Sequence, residues 1–204
     1  MNTVPRLWPG STVVCIGGGP SLRALDLELC REAGLRAIAI NDAFKLASWA
    51  DVLYAADRAW IDAHDGVPSF AGSKFSIASH DTVQRPDWTV LRNTGFEGLE
   101  LDASGLRTGF NSGYQGVGLA VHLGATRILL LGYDMAPAED GREHWFTDGP
   151  DRKMSPYVQM RQAFNGLVEP LEALGVEVLN CSRRTVLTAF PCMRLDDALA
   201  TVAA

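Results

Sequence analysis

The sequence lacks most of the signatures that assign a protein quickly. Its first ten residues, MNTVPRLWPG, hold no apolar signal core, and no stretch of the chain approaches a membrane span. A soluble protein of the cytoplasm is therefore expected, with no membrane partner. Basic runs are missing too: none exceeds the Arg183-Arg184 pair, and the net charge is −6. Direct binding to nucleic acid needs a basic face, so none is expected. The cysteines Cys15, Cys30, Cys181 and Cys192 form no C-x-x-C pair, and there is no H-x-x-x-H. Zinc is not indicated, and the thiols read as those of a reducing compartment. Also absent are G-x-S-x-G, which excludes the usual serine hydrolase, and G-x-x-x-x-G-K-[ST], which excludes a P-loop.

What remains is a regular alternation of short apolar runs and amphipathic segments. Ser11–Gly17 is a β-branched strand that ends in glycines, Arg36–Ile40 a second strand and Asp51–Ala56 a third. Between the first two, Leu22, Leu25, Leu29 and Ala33 keep helical spacing, with Pro20 suited to the first turn and Gly34 as the stop. A short helix is expected over 43–48. This β-α-β-α-β order specifies a mostly parallel Rossmann-like α/β sheet with helices on both faces. Residues 66–108 are less regular, with weak strand candidates at Lys74–Ala78 and Trp88–Leu91, and read as an insertion or cap. Ser112 then caps a helix over Tyr114–Leu123, with Gly124 beyond it. The most apolar run, Arg127–Gly132, reads as a central strand. Residues 135–154 form a lid-like loop. A helix over 156–174, a strand at Val176–Leu179 and a helix over 195–202 complete one domain of 204 residues.

In open parallel sheets ligands bind beyond the carboxyl ends of the strands. Each confident strand here ends in small or polar residues: Gly17-Gly18-Gly19, Asn41-Asp42, Asp57, Tyr133-Asp134, and Asn180 with Ser182. In the loop G-G-G-P-S-L, Leu22 stands where the dinucleotide fingerprint needs its third glycine. Pro20 and Ser21 open a helix whose amides could receive a phosphate, and Ser112, Gly113 and Tyr114 start another. His144 lies in the lid among aromatic and acidic neighbours, in the right setting for a general base. His64 and His80 read as surface residues, and His122 as structural. Asp57, Asp134 and Asp148 are the candidates to hold Mg²⁺ together with a nucleotide; no cofactor is otherwise required.

These residues together resemble a known group. G-G-G-P-S-L, the following N-D, Asp57, the run S-G-Y-Q-G-V-G-L-A-V-H-L-G-A-T-R-I-L-L-L-G-Y-D and N-C-S before a final F-P carry the likeness. They are similar to the group joining the bacterial sialyltransferases of glycosyltransferase family 42 with the archaeal 6-hydroxymethylpterin diphosphokinase-like proteins. Short phage and prophage proteins with a Gly-Arg-x-His-Trp stretch look similar too, and a phage-encoded chain would act in the host cytoplasm. The resemblance covers most of the chain outside 66–108. It implies that Gly17, Gly19, Pro20, Ser21, Asn41, Ser112 and Gly113 bind the nucleotide. It also implies that His144 is the general base; Asp134, which ends the G-Y-D run, is the other catalytic candidate. The sequence departs from the sialyltransferases at the centre of the first loop, where they carry Asn and this chain has Gly18. Their lid tyrosines have Tyr133 and Tyr157 as nearest equivalents, at different spacing. The readings carried forward are a glycosyltransferase-like enzyme using a nucleotide-activated sugar, a Mg²⁺-dependent diphosphokinase-like enzyme acting on a small alcohol, and a non-catalytic phage accessory protein that keeps the fold. A nucleotide or nucleotide sugar is the expected partner, and a homo-oligomer is left open.

Overall fold

The computed structural model describes residues 2–78, 85–146 and 155–201; His80 and Asp148 lie outside them. Among the described residues eight strands form one sheet: β1 Thr12–Ile16, β2 Arg36–Ile40, β3 Val52–Tyr54, β4 Ser73–Ile77, β5 Trp88–Asn93, β6 Gly105–Leu106, β7 Arg127–Leu131 and β8 Glu177–Asn180. Their order is β6-β5-β4-β3-β2-β1-β7-β8, and every pairing is parallel. The helices are α1 Ala24–Glu32, α2 Arg58–Ala63, α3 Ser112–Leu123, α4 Tyr157–Ala173 and α5 Leu195–Ala200, with a 3-10 helix at Asn41–Lys45.

Alternation along the strands explains why both faces are covered. Val13 and Cys15 of β1 join Ile38, Ile128 and Leu130 in one core, under Val117 and Leu123 of α3 and Phe164 and Leu167 of α4. Val14 and Ile16 join Ala37, Ala39, Leu129 and Leu131 in the other, under Leu27 of α1, Ile61 of α2 and Leu195 of α5. Gly124 closes α3 at φ 107, the left-handed C-terminal position that favours glycine. Among the described residues no helix is long and apolar enough to cross a membrane.

Several expectations need correction. The stretch 66–108 is not an irregular insertion: it supplies β4, β5 and β6, which extend the sheet beyond β3. Its signal is weak because β5 buries only Trp88 and Leu91, which breaks the two-residue period of a strand, and β6 is only two residues long. The strand β7 is interior but lies next to the edge strand β8. The first helix begins at Ala24, not Pro20, so Pro20 and Ser21 form a turn. The cap of α3 is Asn111, whose Oδ1 accepts from the Tyr114 amide at 2.8 Å, and not Ser112. Leu174, the last residue of the helix expected over 156–174, instead follows the end of α4 and is 48% exposed.

Strand order decides where a ligand can sit. From β1 the chain moves through β2 to β6 in one direction, then returns through α3 to β7 on the other side of β1. The connections leaving the carboxyl ends of β1 and β7 therefore diverge, opening a crevice between them.

Candidate functional site

A cavity of about 570 Å³ fills that crevice. Gly17, Gly18 and Gly19 line it from the β1 end, Asn41 and Asp42 from the β2 end, and Asp57 from the β3 end. Ser112 and Gly113 enter from the start of α3, Asp134 from the β7 end and His144 from the lid. Pro20, Ser21, Tyr114, Asn180 and Ser182 do not line it. Residues that the sequence did not single out complete the wall, chiefly Trp60, Phe110, Asn111, Glu143 and Phe146. Tyr133, Tyr157 and Met160 line it as well.

The glycine loop is shaped by the protein's own packing. A methyl group on Gly19 would lie 2.3 Å from Asp134 Oδ1 and 2.6 Å from the Gly132 carbonyl oxygen, and one on Gly17 would lie 2.7 Å from that same oxygen. Both glycines are therefore needed for contact with the end of β7, where the Gly19 amide donates to Gly132 at 2.8 Å. Gly18 differs: a methyl group there would meet the His144 ring, 3.0 Å from Cδ2. The loop that follows β7 is fastened at the same place, since the Trp145 amide donates to the Gly18 carbonyl at 3.0 Å. Any side chain at position 18 would press on the His144 imidazole, so the glycine leaves that ring its place.

Asp134 lines the cavity and also clasps the first loop. Its two carboxylate oxygens accept from the Ser21 amide and the Ser21 hydroxyl, each at 2.8 Å. The expected anion-receiving groups of the first loop are thus occupied by the protein itself. Burial raises the Asp134 pKa, and the two Ser21 hydrogen bonds only partly offset this. The folded chain then holds this proton more tightly than the unfolded chain does. The contribution to stability is full at low pH and falls as pH rises through the raised pKa. Asp134→Asn can keep both bonds, its amide oxygen accepting from the Ser21 N–H and its NH₂ donating to the hydroxyl. At neutral pH the variant is expected within about 1 kcal/mol of the parent, without the acid-range pH dependence. Asp134→Ala strands the Ser21 amide and is expected to lose about 2–3 kcal/mol. Urea denaturation of both variants from pH 4 to 7 checks this.

The remaining candidates divide cleanly. Asp57 caps α2, accepting from the Ala59 amide at 2.8 Å. Asp42 accepts from Trp60 Nε1 at 2.8 Å and pairs with Lys45, while His64 Nε2 stands 3.4 Å away. Burial pushes the Asp42 carboxyl up, but these hydrogen bonds and charges outweigh it and hold the pKa below the usual range. Half-buried His64 stacks on Trp60 at 4.2 Å, so it is not a plain surface residue. His122 is structural as expected, bonded to the Gly105 carbonyl at 2.9 Å. Asn180 and Ser182 brace the end of β7: Asn180 accepts from the Ser182 amide, and the Ser182 hydroxyl oxygen accepts from the Tyr133 amide at 2.8 Å. The Tyr114 amide is spent on Asn111, and its hydroxyl donates to the Gly98 carbonyl.

Three features of the wall bear on what the cavity could hold. Ser112 and Gly113 are the first two residues of α3, whose amides have no partner within the helix. Asn41 holds a left-handed backbone, φ 49, and its buried Oδ1 has no hydrogen-bond partner among the described residues. His144 faces the glycine loop, tilted against Phe146 at 5.0 Å. Among the described residues no group of three His, Cys, Asp or Glu is placed to hold a metal ion.

No family model and no curated protein matches the chain. Among solved structures it is similar to the sialyltransferase CstII from Campylobacter jejuni in complex with a substrate analogue, cytidine-5'-monophosphate. The TM-score is 0.53 at 12% identity, over 91% of this chain and 85% of that one. At that identity the likeness establishes a shared α/β, Rossmann-like fold.

Proposed function

We propose that the protein is a glycosyltransferase-like enzyme that uses a nucleotide-activated sugar. The observation that carries this reading is the pairing of two walls across one crevice: open amides at the start of α3, and His144 over the glycine loop. Asn41, with its unpartnered buried oxygen, is placed to accept from an N–H of the base. The amides of Ser112 and Gly113 receive the phosphate that carries the sugar. A ring nitrogen of His144 takes the proton of the acceptor hydroxyl as its oxygen bonds to the anomeric carbon. The bond from that carbon to the phosphate oxygen breaks, and the nucleotide leaves with the electron pair. The negative charge gathering on the leaving phosphate is stabilised by the same helix-start amides.

The charge of the wall bears on which nucleotide. Asp42, Asp57, Asp134 and Glu143 line the cavity, and no Lys or Arg does among the described residues. One phosphate can be held by amides, whereas two or three meet an acidic surface. This supports a nucleoside monophosphate carrier, such as the cytidine monophosphate held by the similar structure. It gives less support to a diphosphokinase acting on Mg-ATP, because Asp134 is engaged by Ser21 and Asp57 caps α2.

Isothermal titration against CMP, CDP, CTP and ATP tests the reading. CMP is expected to bind and each added phosphate to weaken it, with no gain from Mg²⁺. Ser112→Pro, which removes the amide at a first helical position that tolerates proline, is expected to weaken CMP about ten- to a hundredfold, the worth of one hydrogen bond to a charged group, with the melting temperature little changed. No binding of any nucleotide at millimolar concentration removes the proposal and leaves the non-catalytic accessory reading. ATP binding that depends on Mg²⁺ favours the diphosphokinase.

A further inference from the structure

We propose that Phe96 and Phe110 form a stacking platform at the rim of the cavity for the acceptor, and that the acceptor is a pyranose presenting a flat C–H face. The proposal rests on the transferase reading for the word acceptor, but the observations behind it are separate. The two rings lie 5.7 Å apart and 20° from parallel, yet they are 64% and 44% exposed. Phe110 lines the cavity and Phe96 does not, so the pair runs outward from its mouth.

The platform is rigid. The Gly109 amide donates to the Phe96 carbonyl at 2.7 Å and the Thr108 amide to Gly95 at 2.9 Å, which fastens the two loops together. Gly109 has φ 50, and a methyl group there would lie 2.0 Å from Cγ of Tyr114, so that ring occupies the space a side chain would need. Phe110 follows at φ 61, a conformation that a bulky residue adopts rarely and at a cost. Its half-exposed ring gains little burial there. Asn or Gly would fit this backbone with less strain, and either would remove an exposed aromatic ring. A residue unfavourable to the fold on two counts, held firmly beside a cavity, suits binding better than folding.

The occupant follows from position. A nucleoside monophosphate reaching the Ser112 and Gly113 amides fills the inner crevice, and what meets the rim is the second substrate. A stacked pair of exposed rings offers a flat apolar surface that matches the C–H face of a pyranoside, and neither ring carries a polar atom that would demand a matching partner.

Saturation-transfer NMR with methyl β-galactoside, lactose and cellobiose, and with mannitol as an open-chain control, tests this on the parent, Phe110→Asn and Phe96→Ala. The parent is expected to saturate the C–H protons of one pyranoside face and not mannitol. Each variant is expected to weaken the pyranoside about fivefold, equivalent to roughly 1 kcal/mol for an aromatic contact. Phe110→Asn should melt at or above the parent temperature, because Asn tolerates φ 61. Phe96→Ala should leave CMP binding unchanged. Pyranoside signals that are absent in the parent, unchanged in both variants, or lost only with a fall in melting temperature overturn the platform. CMP binding without pyranoside binding defeats this proposal alone. Pyranoside binding through the two rings without CMP binding defeats the nucleotide reading and leaves the platform.

Discussion

Replacing His144 with Ala is expected to lower the rate of sugar transfer by about 10²–10⁴-fold, the usual contribution of a positioned general base. The melting temperature and CMP affinity should change little. His144 contacts Gly18 and Phe146, and the lid is held beside it by the Trp145 amide on the Gly18 carbonyl, a backbone bond that the substitution leaves in place. The CMP-holding groups, Ser112 and Gly113, belong to a different element. Nucleotide release from a panel of nucleotide-activated sugars, measured with and without pyranoside acceptors, provides the rate. Transfer at the parent rate in His144→Ala would falsify the base assignment. Loss of CMP affinity in the same variant would instead make His144 a nucleotide ligand. Gly18→Ala sharpens the distinction. Its methyl group would press on the His144 ring at 3.0 Å, and the ring is a side chain that can shift. That variant is expected to fold normally and to lose about tenfold in rate through misplacement of the base.

The location of the cavity was legible in the sequence, because parallel strands bring their carboxyl ends to one edge. Gly17, Asn41, Asp57 and Asp134 all come to that edge. Their roles were not legible. Ser21 and Asp134 are 113 positions apart, and nothing local to either foretells that the serine consumes the carboxylate. A glycine read as room for a ligand can equally be room for a neighbouring segment, and Gly17 and Gly19 are held close to the end of β7 while also lining the cavity. At α3, Asn111 and Ser112 are both good capping residues, and only the geometry selects the asparagine. The one signal for Phe110 was available but unused: an aromatic residue between Gly109 and a cap at Asn111 sits in a turn, where no periodic pattern buries it. Trp60 and Glu143 reach the cavity from α2 and the lid, elements whose positions depend on tertiary packing.

Gly19→Ala is expected to be the most damaging single-methyl change in the chain's first loop, costing about 3–6 kcal/mol. The added carbon would sit 2.3 Å from the Asp134 carboxylate and 2.6 Å from the Gly132 carbonyl, with no flexible side-chain end to absorb the overlap. Asp134 cannot swing away without releasing both hydrogen bonds from Ser21, and the Gly132 oxygen cannot retreat without losing the Gly19 amide. Two or three hydrogen bonds at about 1 kcal/mol each, plus the strain of an overfilled interior at about 1–3 kcal/mol, give the total. Relief has to come from lifting the loop off the end of β7, and that displaces Gly18 and the lid bonded to it. The variant should therefore lose stability and transferase rate together, whereas Gly18→Ala loses rate alone. Chemical denaturation of the two alanine variants side by side separates them. If Gly19→Ala unfolds at the parent midpoint, the close contact between the β1 loop and β7 is not what shapes this loop. The glycines would then owe their place to a ligand that comes nearer still.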